Sequence, residues 1–228
     1  VNNNISKTQH GIYSQGASAA NKNTGTLINQ NLINTASPDN VAIDGILVGF
    51  ESTITISGNN IDNIQAPSST DGMAIALGSK AVSTSTFTGT EVIDATITNN
   101  TIGTIRGAST YSSIGIYIPT TTNTGTTSIS NNMISGVNSN GTVGDLAAGI
   151  FLGNVVGTVN VYNNSITMVG TLTGGGYPSF GLAATSASTV LNIKNNIFTS
   201  TGSTGADLNK AMGFAFTTYT NLTSNNND

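Results

Sequence analysis

The chain has 228 residues, ten acidic and six basic, for a net charge of −4. Charged residues are 7% of the total, against roughly 25% in an ordinary soluble protein, so solubility has to come from Asn, Thr, Ser and Gly. The basic residues stand singly, which excludes a nucleic-acid footprint, and no apolar run approaches the ~18 residues needed to cross a bilayer.

The first recognisable element is Asn2-Asn3-Asn4-Ile5, a partial copy of a phrase that runs through the chain: apolar-x-x-Asn-x-apolar. Full copies occupy residues 28–33, 56–61, 97–102, 129–134, 161–166 and 193–198, and a last partial copy covers 222–225. The second Asn of each phrase falls at 3, 31, 59, 100, 132, 164 and 196. Its spacing is 28, 28, 41 and then 32 three times. A spacing fixed in one stretch and elastic in another means a constant core path with variable loops.

Between the Asn marks lies a second phrase, Gly followed by alternating apolar residues. It begins at Gly11, Gly45, Gly72, Gly115, Gly149, Gly181 and Gly213. Both phrases are short, rich in Ile and Val, and of period two, which predicts strands. No stretch carries a sustained 3.6-residue apolar stripe, so almost no helix is expected. Apolar residues at such regular spacing also exclude disorder.

Each repeat resolves into three short strands: one after the Gly, one before the Asn and one after it. Stacked turn on turn, they predict an all-β fold, a single-stranded parallel β-helix of about seven to eight coils. Its hand should be right, by the general preference of parallel crossovers. Residues 1–228 read as one segment. The chain opens on Val1 without a signal peptide, inside a repeat, so a processed piece of a longer chain is expected. The absence of Cys says little about compartment, because a repeat core needs no disulfides.

The Asn column has a physical reason. A sharp bend between strands needs a residue that tolerates a left-handed backbone, and Asn does so better than other non-glycine residues. Its amide can also bond the Asn one coil away. Asn31, Asn59, Asn100, Asn132, Asn164 and Asn196 are therefore expected to stack as an inward ladder.

The carrying units, Ile-x-x-Asn-x-Ile and Gly-Ile-x-Leu, resemble the generic right-handed repeats of the pectate-lyase-like parallel β-helix superfamily along essentially the whole chain. The Asn/Thr/Ser-rich style resembles large secreted bacterial repeat proteins. The resemblance implies a fold and leaves function open, because polysaccharide lyases, hydrolases, tailspikes and adhesins share such repeats. In the enzymes of that group chemistry sits on the outer face of the first strand, so that face is read column by column.

Two residues after each Gly the column reads Tyr13, Leu47, Ala74, Tyr117, Phe151, Ala183 and Ala215. It holds no acid or base. Tyr13, Leu47, Tyr117 and Phe151 form an outward apolar stripe suited to sugar rings or a partner chain, or to cover by the protein's own loops at 106–113, 138–147, 170–179 and 200–210. One residue before each Gly the column reads His10, Asp44, Asp71, Ile114, Ala148, Phe180 and Met212. Asp44 and Asp71 would then stand about 4.8 Å apart, close enough to share a proton, although Asp before Gly also caps turns. His10, one coil from Asp44, is expected to be solvated at the chain end, and Arg106 and Lys80 to lie in loops without acidic partners.

On the second strand the outward pairs Thr55/Ser57, Thr96/Thr98 and Ser128/Ser130 give way to Asn160/Tyr162 and Asn192/Lys194, a short lattice for ordering ice. The Thr84 to Thr88 stretch is expected in a loop. No cofactor or metal set is indicated. The leading expectation is a non-catalytic structural or adhesive segment of a secreted or cell-surface bacterial protein. Its expected partners are flanking coils, end-to-end copies, polysaccharide or another surface protein, with no nucleic acid and no membrane span. The alternative is a carbohydrate-binding module or a polysaccharide lyase or hydrolase; ice binding is a minor one.

Overall fold

The computed structural model describes residues 1–66, 70–78, 91–107, 111–119, 125–138, 146–169, 178–201 and 209–228. Among them every strand pairing is parallel and no helix occurs. Lys80 and Thr84 to Thr88 lie outside the described residues, as do most of the loops expected to cover the first strand.

The chain winds as a parallel β-solenoid. Its first sheet stacks seven strands, His10–Gln15, Asp44–Gly49, Gly72–Leu77, Ser113–Ile118, Ala147–Leu152, Ser179–Ala184 and Asn209–Phe214. The second also stacks seven, from Leu27–Asn29 to Leu222–Asn225, and the third stacks six, from Leu32–Ile33 to Ile197–Ser200. The described turns are therefore slightly fewer than the seven to eight expected, the last placing strands in two sheets only. Two further three-stranded sheets stiffen corners: Asn23–Thr24, Glu51–Ser52 and Val92–Ile93 in one, Ile64–Gln65, Ile105–Arg106 and Val137–Asn138 in the other. Arg106 thus belongs to a strand and not to a loop.

Period-two alternation sends one residue of each pair into the solenoid. Ile56, Ile97, Ile129, Val161 and Ile193 stack in register on the second sheet, and Ile61, Ile102, Ile134, Ile166 and Phe198 on the third. All belong to one continuous core and are 5% exposed or less. Each contributes about 1.5–3 kcal/mol of burial, which locks the register because a one-residue slip would turn the whole set to solvent.

The Asn bend divides its labour between two columns. The left-handed residue is the one before the ladder Asn: Asn2, Gln30, Gly58, Asn99, Asn131, Asn163, Asn195 and Asn226 all have φ between 52° and 63°. The expectation that the ladder Asn itself supplies the left-handed backbone is corrected by this. The bend frees the next residue to point inward, and that residue builds the ladder. Asn31, Asn59, Asn100, Asn132 and Asn164 each donate from Nδ2 to Oδ1 of the next at 2.9–3.0 Å. Asn3 and Asn227 extend it at the two ends. Each rung's backbone N–H also donates to the same Oδ1, at 2.9–3.0 Å from Asn31 onward. The 41-residue repeat leaves the Asn59–Asn100 rung unchanged at 2.9 Å, so its extra residues are absorbed elsewhere.

On the first sheet a Gly column permits close stacking. A Cβ on Gly115 would lie 2.5 Å from the Gly149 carbonyl oxygen, and one on Gly11 2.5 Å from that of Gly45. Two turns depart from the expected register. Met73 pairs with Asp44, which puts Ala74 and not Gly72 in the Gly column. Met212 pairs with Leu182 and Gly213 with Ala183, which puts Ala211 there in place of Gly213. Both slips are of two residues, and they exchange which side chains face inward: Ala74 joins the core while Met73 packs on the outer face, and Met212 turns towards the core while Gly213 joins the outward column.

Candidate functional site

The outward face of the first sheet carries two columns once the register is corrected. One reads His10, Asp44, Met73, Ile114, Ala148, Phe180 and Lys210; the other reads Tyr13, Leu47, Ala76, Tyr117, Phe151, Ala183 and Gly213. The face has three regions of different chemistry along the axis.

At the first turns stands a buried, hydrogen-bonded His–Asp pair. His10 Nδ1 lies 2.8 Å from Asp44 Oδ2, with side chains 8% and 1% exposed. His10 is therefore not a solvated residue. Burial pushes the Asp44 carboxyl above the usual carboxylate range, and the hydrogen bond and charge of His10 pull it part of the way back. Asp44 Oδ1 is buried without a hydrogen-bond partner among the described residues. The expected Asp44–Asp71 pair does not form, because Met73 occupies the rung beside Asp44. Asp71 instead accepts the Ser112 N–H at 2.8 Å, tying its turn to the next.

The middle of the face is closed. Leu47, Met73, Ala76 and Ile114 form a second apolar cluster outside the sheet, each 3% exposed or less. Leu47 is fully buried, so it cannot meet a ligand, which corrects its place in the outward stripe. Tyr13, at 37% exposed, stays accessible and its hydroxyl bonds Gln15 Oε1.

Toward the later turns the face opens. Tyr117 and Phe151 stack with centroids 5.5 Å apart and planes 13° from parallel, which is the offset aromatic arrangement. Burial first, and the nearby Asp71 carboxylate second, push the Tyr117 phenol up. Beyond them lies a cleft of about 410 Å³, walled by Phe151, Phe180, Met212 and Phe214 with Lys210 at its edge. Phe180 and Lys210 are neighbours in register. Sequence reasoning missed this cleft because Met212 was placed where Lys210 stands.

A buried carboxylate was also missed. Glu51 is 0% exposed, and Ser14 Oγ, Asn23 Nδ2 and Thr26 Oγ1 donate to it at 2.5, 3.0 and 2.6 Å. Three neutral donors satisfy both oxygens, which is how an interior carboxylate is held in place. Nothing in the local sequence separates Glu51 from an exposed acid, because its donors come from residues 25 to 37 positions away.

The second sheet confirms the outward pairs: Thr55, Thr96, Ser128, Asn160 and Asn192 share one column, and Ser57, Thr98, Ser130, Tyr162 and Lys194 the other. Among the described residues no group of three or more His, Asp or Glu side chains is placed to hold a metal ion. Comparison with family models, with curated proteins and with solved structures finds no match to this chain.

Proposed function

We propose that the chain is a non-catalytic structural and adhesive segment of a secreted or cell-surface bacterial protein. The observation that carries this reading is the unbroken ladder from Asn3 to Asn227, with parallel sheets stacked beside it. Sliding one turn against the next would break the rung bonds and the sheet bonds together, so the solenoid acts as a stiff spacer. The charge-poor surface of Asn, Ser and Thr suits contact with neutral extracellular material. Flanking turns, further copies, polysaccharide or another surface protein are the partners this role calls for.

A second reading makes the first-sheet face a carbohydrate site, as in the pectate-lyase-like superfamily that the Ile-x-x-Asn-x-Ile units resemble. The Tyr117–Phe151 stack and the Phe180 cleft favour binding, and the His10–Asp44 pair is the local arrangement that favours a lyase or hydrolase. Ice ordering on the second sheet has only the three Thr/Ser turns in its support.

The test is to incubate the protein with pectin, alginate and insoluble cellulose, following new reducing ends, unsaturated products and retention on the polymer. The structural reading expects no cleavage. Cleavage that disappears in His10→Ala/Asp44→Asn would overturn it in favour of the enzyme. Retention that disappears in Tyr117→Ala/Phe151→Ala, without cleavage, would place the adhesive contact on the aromatic face.

A further inference from the structure

We propose that the polar cleft beside Arg106 is a binding site for a small hydroxylated monocarboxylate. The cleft measures about 340 Å³ and is lined by Ala36, Ser37, Asn63, Gln65, Thr104 and Arg106, with Ile64 beneath. It shares no lining residue with the aromatic cleft, so the site is independent of the carbohydrate reading above.

The register builds it. Gln65, Arg106 and Asn138 are successive rungs of one small parallel sheet, about 4.8 Å apart. Their neighbours Ile64, Ile105 and Val137 are buried in the core, so the rung side chains are turned to the outside. Arg106 is exposed. Arg106 takes no part in the ion pairs that Lys7 and Lys22 make or in the His10–Asp44 contact.

The walls are set before a ligand arrives. Asp62 Oδ1 accepts the backbone N–H of Asn63 at 2.8 Å and that of Thr104 at 2.5 Å, which ties the two sides together. Asn63 is left-handed, with φ 58°, and its Nδ2 donates to the Asn34 carbonyl at 3.0 Å. A prebuilt wall lowers the ordering cost of binding.

The chemistry of the lining selects the ligand. A guanidinium presents parallel N–H donors that match the two oxygens of a carboxylate. The Ser37 and Thr104 hydroxyls and the Gln65 amide supply neutral donors and acceptors for ligand hydroxyls. One cation on a chain of net charge −4 favours a monoanion over a dianion.

The experiment titrates the folded protein with gluconate, with sorbitol as the uncharged analogue and with glucose 6-phosphate as the alternative anion, by calorimetry and NMR. Gluconate is expected to saturate the site and sorbitol to bind roughly tenfold more weakly or worse, the usual scale for losing a charge-assisted hydrogen bond. Arg106→Gln should bring gluconate down to the sorbitol level while leaving the unfolding midpoint in place. Arg106→Lys should fall between, keeping the charge and losing the planar fork. Equal binding of gluconate and sorbitol, tighter binding of glucose 6-phosphate, no saturable binding, or gluconate affinity unchanged in Arg106→Gln would each overturn the proposal.

Discussion

Replacing Asn132 by Ala cuts the ladder at its centre, and the cost can be worked from the bonds. Asn132 is 1% exposed. Its Oδ1 accepts the backbone N–H and the Nδ2 of Asn100, both at 3.0 Å. Its Nδ2 donates to the Ile97 carbonyl at 3.1 Å and to Asn164 Oδ1 at 3.0 Å. After truncation the Asn100 amide still has the Ile56 carbonyl, and Asn164 Oδ1 still has the Asn132 N–H. The Asn100 N–H loses its partner, whereas the Ile97 carbonyl keeps its place in the sheet ladder and loses only the extra bond from Asn132. At roughly 1–3 kcal/mol for the buried donor left unpaired and about 0.5–1.5 kcal/mol for the extra bond, the variant should lose about 1.5–4.5 kcal/mol. Asn227→Ala, at the less buried end of the ladder, should lose only about 1 kcal/mol. Guanidinium unfolding followed by circular dichroism gives the global loss. Hydrogen exchange at the Asn100 amide gives the local one, which matters because a repeat array need not unfold in one step. A loss no larger than that of Asn227→Ala, or unchanged protection at Asn100, would refute the ladder as a source of stability.

The column before the ladder makes a separate prediction. Asn131 has φ 55°, so Asn131→Gly should be neutral or up to about 1 kcal/mol stabilising, whereas Asn131→Val should cost about 1–2 kcal/mol. Equal melting temperatures for the two variants would contradict the backbone account. For Asp44, burial raises the folded carboxyl above its unfolded value, so the native state binds the proton more tightly. That contribution is fully present below the unfolded pKa and is lost as pH rises through the folded one. Stability measured against pH across the mildly acidic range should therefore fall less steeply towards neutral pH in Asp44→Asn than in the parent protein. A parallel pair of curves would show that Asp44 does not titrate differently on folding.

The sequence alone was enough for the solenoid, the inward Ile columns and the Asn ladder, because each rests on a local period repeated many times. The same repetition revealed Tyr117 and Phe151 as neighbours, since their turns match residue for residue. What it could not reveal was register where a turn departs from the pattern. Gly72 and Gly213 look like members of the Gly column, yet Ala74 and Ala211 stand there. Parallel register is decided by backbone bonding and core packing against the neighbouring turns, and here it turns Ala74 inward and Met73 outward, the reverse of what the Gly phrase predicts. Those slips separate Asp44 from Asp71, set Met73 beside Asp44, and bring Lys210 next to Phe180. The buried partners of Glu51 and the shelter around His10 come from residues 25 to 37 positions away. Only the wound chain brings them together, because the distance between turns in sequence is elastic while the distance between strands in space is fixed by the hydrogen bond.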